Sequence, residues 1–130
     1  MTVLLADDDK VQSLMLSARL KARGFKVTLA YDAIQAWMAA IQTRPDVIVL
    51  DIQMPGGTGI AVLKQLKTST KTSQIPVVVL SGSIDPQTIP TVKDLGADEF
   101  LPKPVDLDKL YDALSRLLGN TSEAPRQSGG

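Results

Sequence analysis

Three consecutive aspartates, Asp7, Asp8 and Asp9, follow directly on the apolar run Val3-Leu4-Leu5-Ala6. Adjacent carboxylates repel one another, and the end of a buried strand hydrates them poorly. A cation among them removes the difficulty. Two or three carboxylate oxygens, a backbone carbonyl and waters form the octahedral oxygen site that Mg²⁺ prefers. Three more polar features end apolar runs in the same way: Asp51 after Val47–Leu50, Ser81-Gly82 after Val77–Leu80, and Lys103-Pro104 after Phe100-Leu101. A lysine adds a fixed positive charge, and a serine hydroxyl with backbone N–H groups can hydrogen-bond phosphate oxygens. Together these residue types suit holding a phosphoryl group in line for attack by a carboxylate. Catalysis of that step needs mainly positioning and charge neutralisation.

What the chain lacks narrows the chemistry further. It has no histidine and no cysteine. That removes disulfides, thiolate metal sites, serine–histidine triads and histidine general bases. Lys+Arg and Asp+Glu both count 14, for a formal net charge of zero. There is no basic excess of the kind that marks nucleic-acid or membrane-surface binding, so neither partner is expected. No apolar run approaches a membrane-spanning length. The opening MTVLLADDD lacks the basic segment of a signal peptide, and the expectation is a cytoplasmic protein.

The elements that position these residues alternate along the chain. Short apolar strands are expected at Val3–Ala6, Lys26–Ala30, Val47–Leu50, Val77–Leu80 and near Glu99–Leu101. The third and fourth show no polar alternation, as expected of strands covered on both faces. Between them lie helical patterns. Val11, Leu14, Met15 and Ala18 share the spacing i, i+3, i+4, i+7 and are read as the buried face of the first helix. Asp9 with Gln12 resembles a capping box, and Gly24 a helix stop. Asp32 with Gln35 caps a second helix, with Ala33, Ala36, Trp37, Ala40 and Ile41 on one face, ended by Arg44-Pro45. Val62, Leu63 and Leu66 lie on a third helix. A fourth spans about 86–95. Pro86 sits at its N1 after an Asp85 cap, but Pro90 would delete a backbone bond, so the effective start is expected near Pro90. The last helix carries Leu107, Leu110, Tyr111, Leu114, Leu117 and Leu118 after an Asp106 cap.

Five βα units in succession imply an α/β fold, a doubly wound five-stranded parallel sheet with five helices on its two faces. Residues 1–118 form the domain, and residues 119–130, GNTSEAPRQSGG, read as a flexible tail or the start of a linker. In such sheets ligands bind outside the carboxyl ends of the strands. The acidic cluster, Asp51, Ser81-Gly82 and Lys103 would thus meet on one rim. Each has an ordinary explanation alone: a helix cap, which is kept for Asp9, a turn residue, a turn hydroxyl, a solvated lysine. The weight comes from four polar features at four strand ends in order.

The chain resembles the receiver domain of bacterial two-component response regulators. The matching pieces are ADDD at 6–9, DIQMPGGTG at 51–59, VVVLSGS at 77–83 and FLPKP at 100–104. The likeness covers residues 2 to about 118 and implies the flavodoxin-like strand order 2-1-3-4-5. It implies that Asp51 is the phosphoacceptor, taking a phosphoryl group from a phosphohistidine of a sensor histidine kinase or phosphotransfer protein. It implies Mg²⁺ (or Mn²⁺) held by Asp8, Asp51 and the backbone carbonyl of Gln53, with Asp7 acting indirectly or through water. Lys103 would pair with Asp51 in the empty site and with the phosphoryl group in the loaded one. Ser81 would be the switch hydroxyl, Phe100 the switch aromatic, and Gly82 the small residue that leaves room for the phosphoryl group. A plain core residue under the fifth strand is the alternative for Phe100. Lys103-Pro104 would be a cis bond, and Met54-Pro55 and Gly59 match the turn after the phosphorylation site. Gln53 and Ser83 stand where the family tunes phosphoryl lifetime. A downstream output domain or partner protein, and a homodimer formed on phosphorylation, are the further expectations. Pro86 and Pro90 depart from the usual fourth helix and put the usual dimer face in question.

The implied function is a phosphorylation-activated switch that is not an enzyme on outside substrates and catalyses only its own phosphorylation and dephosphorylation. The same domain as the receiver module of a hybrid kinase or phosphorelay is the alternative. Two rivals come from other classes. A flavodoxin-like cofactor-binding protein wants a Ser/Thr/Gly phosphate loop and aromatic rings, where this chain has DDDK and 4% aromatic residues. A haloacid-dehalogenase-type phosphohydrolase wants a cap domain for which there is no room.

Overall fold

The computed structural model describes residues 1–54, 59–82 and 87–119. Five strands, β1 (Thr2–Ala6), β2 (Lys26–Ala30), β3 (Val47–Asp51), β4 (Val77–Ser81) and β5 (Glu99–Pro102), alternate with five helices. These are α1 (Lys10–Ala22), α2 (Ala33–Thr43), α3 (Gly59–Thr68), α4 (Thr88–Asp94) and α5 (Leu107–Gly119). All strand pairs are parallel, in the order β2-β1-β3-β4-β5. This is the doubly wound α/β topology expected from the sequence.

Successive side chains in a strand point to opposite faces, so each unbroken apolar run serves two cores. Leu4, Ile48, Leu50, Val77 and Val79 pack with Ala36, Ala40, Val62, Leu63, Leu66 and Val92 from α2, α3 and α4. Val3, Leu5, Val49, Val78 and Leu80 pack with Leu16 and Leu20 of α1 and Leu110, Ala113 and Leu114 of α5. Complete burial of Val3–Ala6 in β1 and of all of β3 and β4 explains why these strands lack polar alternation.

The first helix corrects the sequence reading. Val11, Leu14 and Met15 are 71%, 59% and 64% exposed, and Ala18 is exposed too. The buried face is Ser13, Leu16, Ser17 and Leu20, which has the same i, i+3, i+4, i+7 spacing. Two serines take core positions, where a small side chain lets the helix lie against the sheet. The Ser13 hydroxyl also donates to the Asp7 carbonyl at 3.3 Å, so burial leaves it bonded. The expected capping box is half formed. Asp9 Oδ1 accepts from the Gln12 N–H at 3.0 Å, but the Asp9 N–H is held by Asp7 Oδ1 at 2.9 Å instead.

The other elements follow the sequence more closely. Asp32 Oδ1 caps α2 by accepting from the Gln35 N–H at 2.8 Å, and Gln35 Oε1 reaches back to the Tyr31 N–H at 2.9 Å. Arg44 closes α2 in a left-handed conformation at φ 45° before Pro45. Gly24, at φ 93°, turns the chain out of α1. The α4 helix begins at Thr88, two residues before the start expected from Pro90. Its first backbone bond runs from the Thr91 N–H to the Gln87 carbonyl at 3.1 Å. Pro90 lies one residue earlier, where a helix has no carbonyl to offer, so the proline deletes nothing. Asp85 and Pro86 lie outside the described residues. Asp106 Oδ1 caps α5 through the Asp108 and Lys109 N–H groups at 3.0 and 3.3 Å.

Candidate functional site

Asp7, Asp51, Ser81 and Lys103 lie at the carboxyl ends of β1, β3, β4 and β5, on the rim the topology predicts. The chain leaves β1 with the Asp7 N–H still bonded to the Ala30 carbonyl of β2 at 3.0 Å, so Asp7 is set as firmly as a strand residue. Asp51 is the last residue of β3, opposite Leu80 of β4. The α3 helix must then start close against this strand end, and Gly59 allows it. A Cβ there would lie 2.2 Å from Ile52 Cα and 2.6 Å from the Asp51 carbonyl oxygen. No larger residue fits without moving the backbone that carries Asp51.

Lys103 joins the two buried carboxylates. Its Nζ lies 2.8 Å from Asp51 Oδ2 and 3.0 Å from Asp7 Oδ2. The sequence reading paired Lys103 with Asp51 alone, since nothing in the spacing shows how the lysine stem crosses from β5 to β1. Lys103 follows β5 with its N–H donating to the Ser81 carbonyl at 2.8 Å, and Lys103–Pro104 is the cis bond that was expected.

One carboxylate oxygen each from Asp7, Asp8 and Asp51 falls within 4.8 Å of the others. Asp7 and Asp51 are buried while Asp8 is exposed, which leaves a side open to solvent. Three carboxylates against one ammonium carry two uncompensated negative charges. All donors are oxygens. This set fits a small, hard dication such as Mg²⁺.

The titration of Asp7 and Lys103 reflects this arrangement. Burial raises the pKa of the Asp7 carboxyl above its ordinary 3.8, against the lowering effect of the Asp9 N–H and Lys103. Burial would lower that of Lys103, but hydrogen bonds to Asp51 and Asp7 and their charges together raise it above 10.5. The pair thus favours a charged lysine while its deeper acid is ionised at a cost. Asp51 acts on both groups, attracting Lys103 and adding a smaller repulsion to Asp7, whose shift comes first from burial.

The remaining expected residues take the following places. Ser81 is buried at the end of β4, opposite Pro102. Gln53 is exposed, and its N–H donates to Asp51 Oδ1 at 2.9 Å. The Gly82 N–H donates to Gln53 Oε1 at 3.0 Å, a contact that sequence reasoning missed because it links residues far apart in the chain through one side chain. Phe100 pairs with Val79 and is half-buried against the core formed with α2, α3 and α4. Met54 is buried. Pro55 and Ser83 lie outside the described residues.

Comparison with known proteins agrees with this geometry. Residues 3–115 match the family model of the response regulator receiver domain. The DNA-binding dual master transcriptional regulator RpaA of Synechocystis is 33% identical over 124 residues, covering 95% of this chain and 52% of RpaA. The chain thus spans about half the length of that curated relative. Among solved structures, the Francisella response regulator 1452 receiver domain superposes with a TM-score of 0.85 at 30% identity, covering 93% of this chain and 98% of that one. The receiver domain of the sensor histidine kinase PA1611 from Pseudomonas aeruginosa has a TM-score of 0.83 at 26% identity, covers 91% of this chain and 97% of its own, and has a magnesium ion coordinated in its active site cleft. A parallel sheet in this strand order, a lysine bridging two buried aspartates and a family match over nearly all described residues lead to one assignment: this chain belongs to the response regulator receiver domain family.

Proposed function

We propose that Asp51 accepts a phosphoryl group from a phosphohistidine and that the loaded domain switches a downstream output. The observation that carries this reading is the position of Lys103 Nζ, 2.8 Å from Asp51 Oδ2, within a cluster whose three carboxylates approach to 4.8 Å. An Asp51 oxygen attacks phosphorus, the new O–P bond forms as the histidine N–P bond breaks, and the freed imidazole keeps the electron pair and takes up a proton from water. The ammonium of Lys103 bonds to Asp51 in the empty site and to a phosphoryl oxygen afterwards. The Gly82 N–H and the Ser81 hydroxyl bind further phosphoryl oxygens. Asp8, Asp51 and the Gln53 carbonyl would hold Mg²⁺ or Mn²⁺, with Asp7 reaching it through water, and the ion would supply charge neutralisation at the phosphoryl oxygens.

Ser81 and Phe100 form the switch in this reading, and Gln53 and Ser83 set how long the acyl phosphate survives water. The domain acts on no outside substrate and catalyses only its own loading and unloading. Its donor is a sensor histidine kinase or phosphotransfer protein, since the chain has no histidine of its own. Its target is an output domain or partner protein, reached with or without a homodimer. Residues 1–118 make up this unit; α5 runs to Gly119, and the rest of the tail or linker expected from the sequence, 120–130, lies outside the described residues. The cytoplasm is the proposed site of action; among the described residues no helix is long and apolar enough to cross a membrane. The same module within a hybrid kinase or phosphorelay is the second reading, favoured by the likeness to the PA1611 receiver domain. Acetyl phosphate with Mg²⁺ tests the proposal. Wild-type protein should label at Asp51, and Asp51→Asn should lose the label while keeping its melting temperature to within a few degrees. A variant that labels as well as wild type would sink it.

A further inference from the structure

Gln53 is bound into the site twice. Its backbone N–H donates to Asp51 Oδ1 at 2.9 Å, and its side-chain Oε1 accepts from the Gly82 N–H at 3.0 Å. A donor fixes the orientation of the amide, because only the oxygen can face an N–H. Gly82 follows the buried Ser81, and its Cα side faces Gln53 and Lys103: a Cβ there would meet Gln53 Oε1 at 3.3 Å and Lys103 Cβ and Cδ at 3.9 and 4.0 Å. The Gly82 N–H is thus taken by a neutral amide oxygen, and that oxygen lies beside the part of Gly82 that faces the stem of the lysine gripping Asp51. Gln53 is exposed, so its side chain can swing into water without disturbing the core.

We propose that the Gln53 carboxamide is a built-in stand-in for a phosphoryl oxygen: it satisfies the Gly82 N–H while Asp51 is free, must be displaced when Asp51 is loaded, and thereby slows loading. One N–H directed at one point serves one good acceptor at a time, and a phosphoryl oxygen is the stronger of the two because it is charged. Displacement also frees the side chain of the residue two positions after the acceptor, so loading changes the surface between β3 and α3 without any movement of the sheet. The proposal rests on the phosphoacceptor reading of Asp51.

The test is the initial rate of Asp51 labelling by acetyl phosphate at subsaturating concentration with Mg²⁺, for wild type, Gln53→Met and Gln53→Glu. Methionine keeps the length of the side chain and removes the strong acceptor. Gln53→Met should label faster by roughly three- to tenfold, the size of one neutral hydrogen bond in net terms. Gln53→Glu keeps an oxygen on the Gly82 N–H, adds a negative charge beside Asp51, and should label more slowly than wild type. The amide resonance of Gly82 supplies a second measurement. It should differ between wild type and Gln53→Met in the empty state and coincide after loading with beryllofluoride, when both N–H groups face the same acceptor. Wild-type protein that does not label overturns the phosphoacceptor reading itself. Wild type that labels while Gln53→Met is no faster, or a Gly82 resonance that still differs after loading, overturns the displacement alone.

Discussion

Replacing Lys103 with methionine isolates the electrostatics of the site. The stem of the side chain survives, and only the ammonium between Asp7 and Asp51 goes. At an effective dielectric constant of about 20, contacts of this length are each worth roughly 5–6 kcal/mol of gross attraction. Most of that is offset by the desolvation of Lys103. Removing one partner of a buried pair costs about 3–5 kcal/mol, because the other charge is left stranded. The Lys103 side chain is 19% exposed and its partners 2% and 3%, so the low end, ~3 kcal/mol, applies. For a domain of this size that lowers the melting temperature of metal-free protein by about 10 °C. Mg²⁺ then acts differently on the two proteins. At a free concentration 100 times its Kd, a ligand adds about 2.7 kcal/mol. In Lys103→Met the ion meets three carboxylates that share them with no ammonium, so its Kd is lower and the same millimolar addition raises the melting temperature further than in wild type. Thermal melts in chelator and in a Mg²⁺ series measure both effects. A metal-free variant melting within about 2 °C of wild type, or equal Mg²⁺ increments for the two proteins, would refute the reasoning.

Three further outcomes follow from the geometry. Leu16→Ala should destabilise by about 2–4 kcal/mol, while Met15→Lys should stay within about 0.5 kcal/mol, and urea melts that reverse this order would reject the buried face of α1 given above. Gly59→Ala forces a Cβ into backbone that carries Asp51, so it should destabilise by about 2–4 kcal/mol and also slow acetyl-phosphate labelling; a neutral substitution would mean that α3 does not start where it is placed. Because burial raises the pKa of Asp7, ionising it costs metal-free protein stability as pH climbs from 3.8 through the higher folded value. Asp7→Asn removes that cost, so its stability relative to wild type should rise with pH across this window, and a constant difference would contradict it.

Much of this molecule could be read along the chain because its signals are local. A buried parallel strand must be apolar on both faces, so VLLA, VIVL and VVVL announce themselves, and with two weaker strands, all separated by helical patterns, they admit few topologies. Asp32 and Asp106 cap the helices that follow them, since a cap reaches only two or three residues. Asp51, Ser81 and Lys103 were marked by ending strands, and the topology gathers strand ends on one rim. The buried face of α1 was misread for a physical reason. Val11, Leu14 and Met15 have the same periodicity as Ser13, Leu16, Ser17 and Leu20, and hydrophobicity alone favours the wrong set. What decides is how α1 packs on the sheet and the Ser13 hydroxyl on the Asp7 carbonyl, which exist only once the chain is folded. A helix start near Pro90 is legible from the proline itself, but its exact place depends on where the first helical bond forms, here at the Thr91 N–H.

The sequence by itself determined which residue types end the strands, and hence that carboxylates, a lysine and a hydroxyl would share a rim with no histidine or cysteine among them. Only the tertiary structure decided who bonds to whom there. Lys103 crosses to Asp7 as well as Asp51, the Asp9 N–H turns back to Asp7, and Gln53 reaches the Gly82 N–H. Each of these depends on how far a strand end projects and which way a side chain leans, to within a few ångströms. A strand pattern with period two constrains faces but not those distances, because they are set by the register of β1, β3, β4 and β5 acting together.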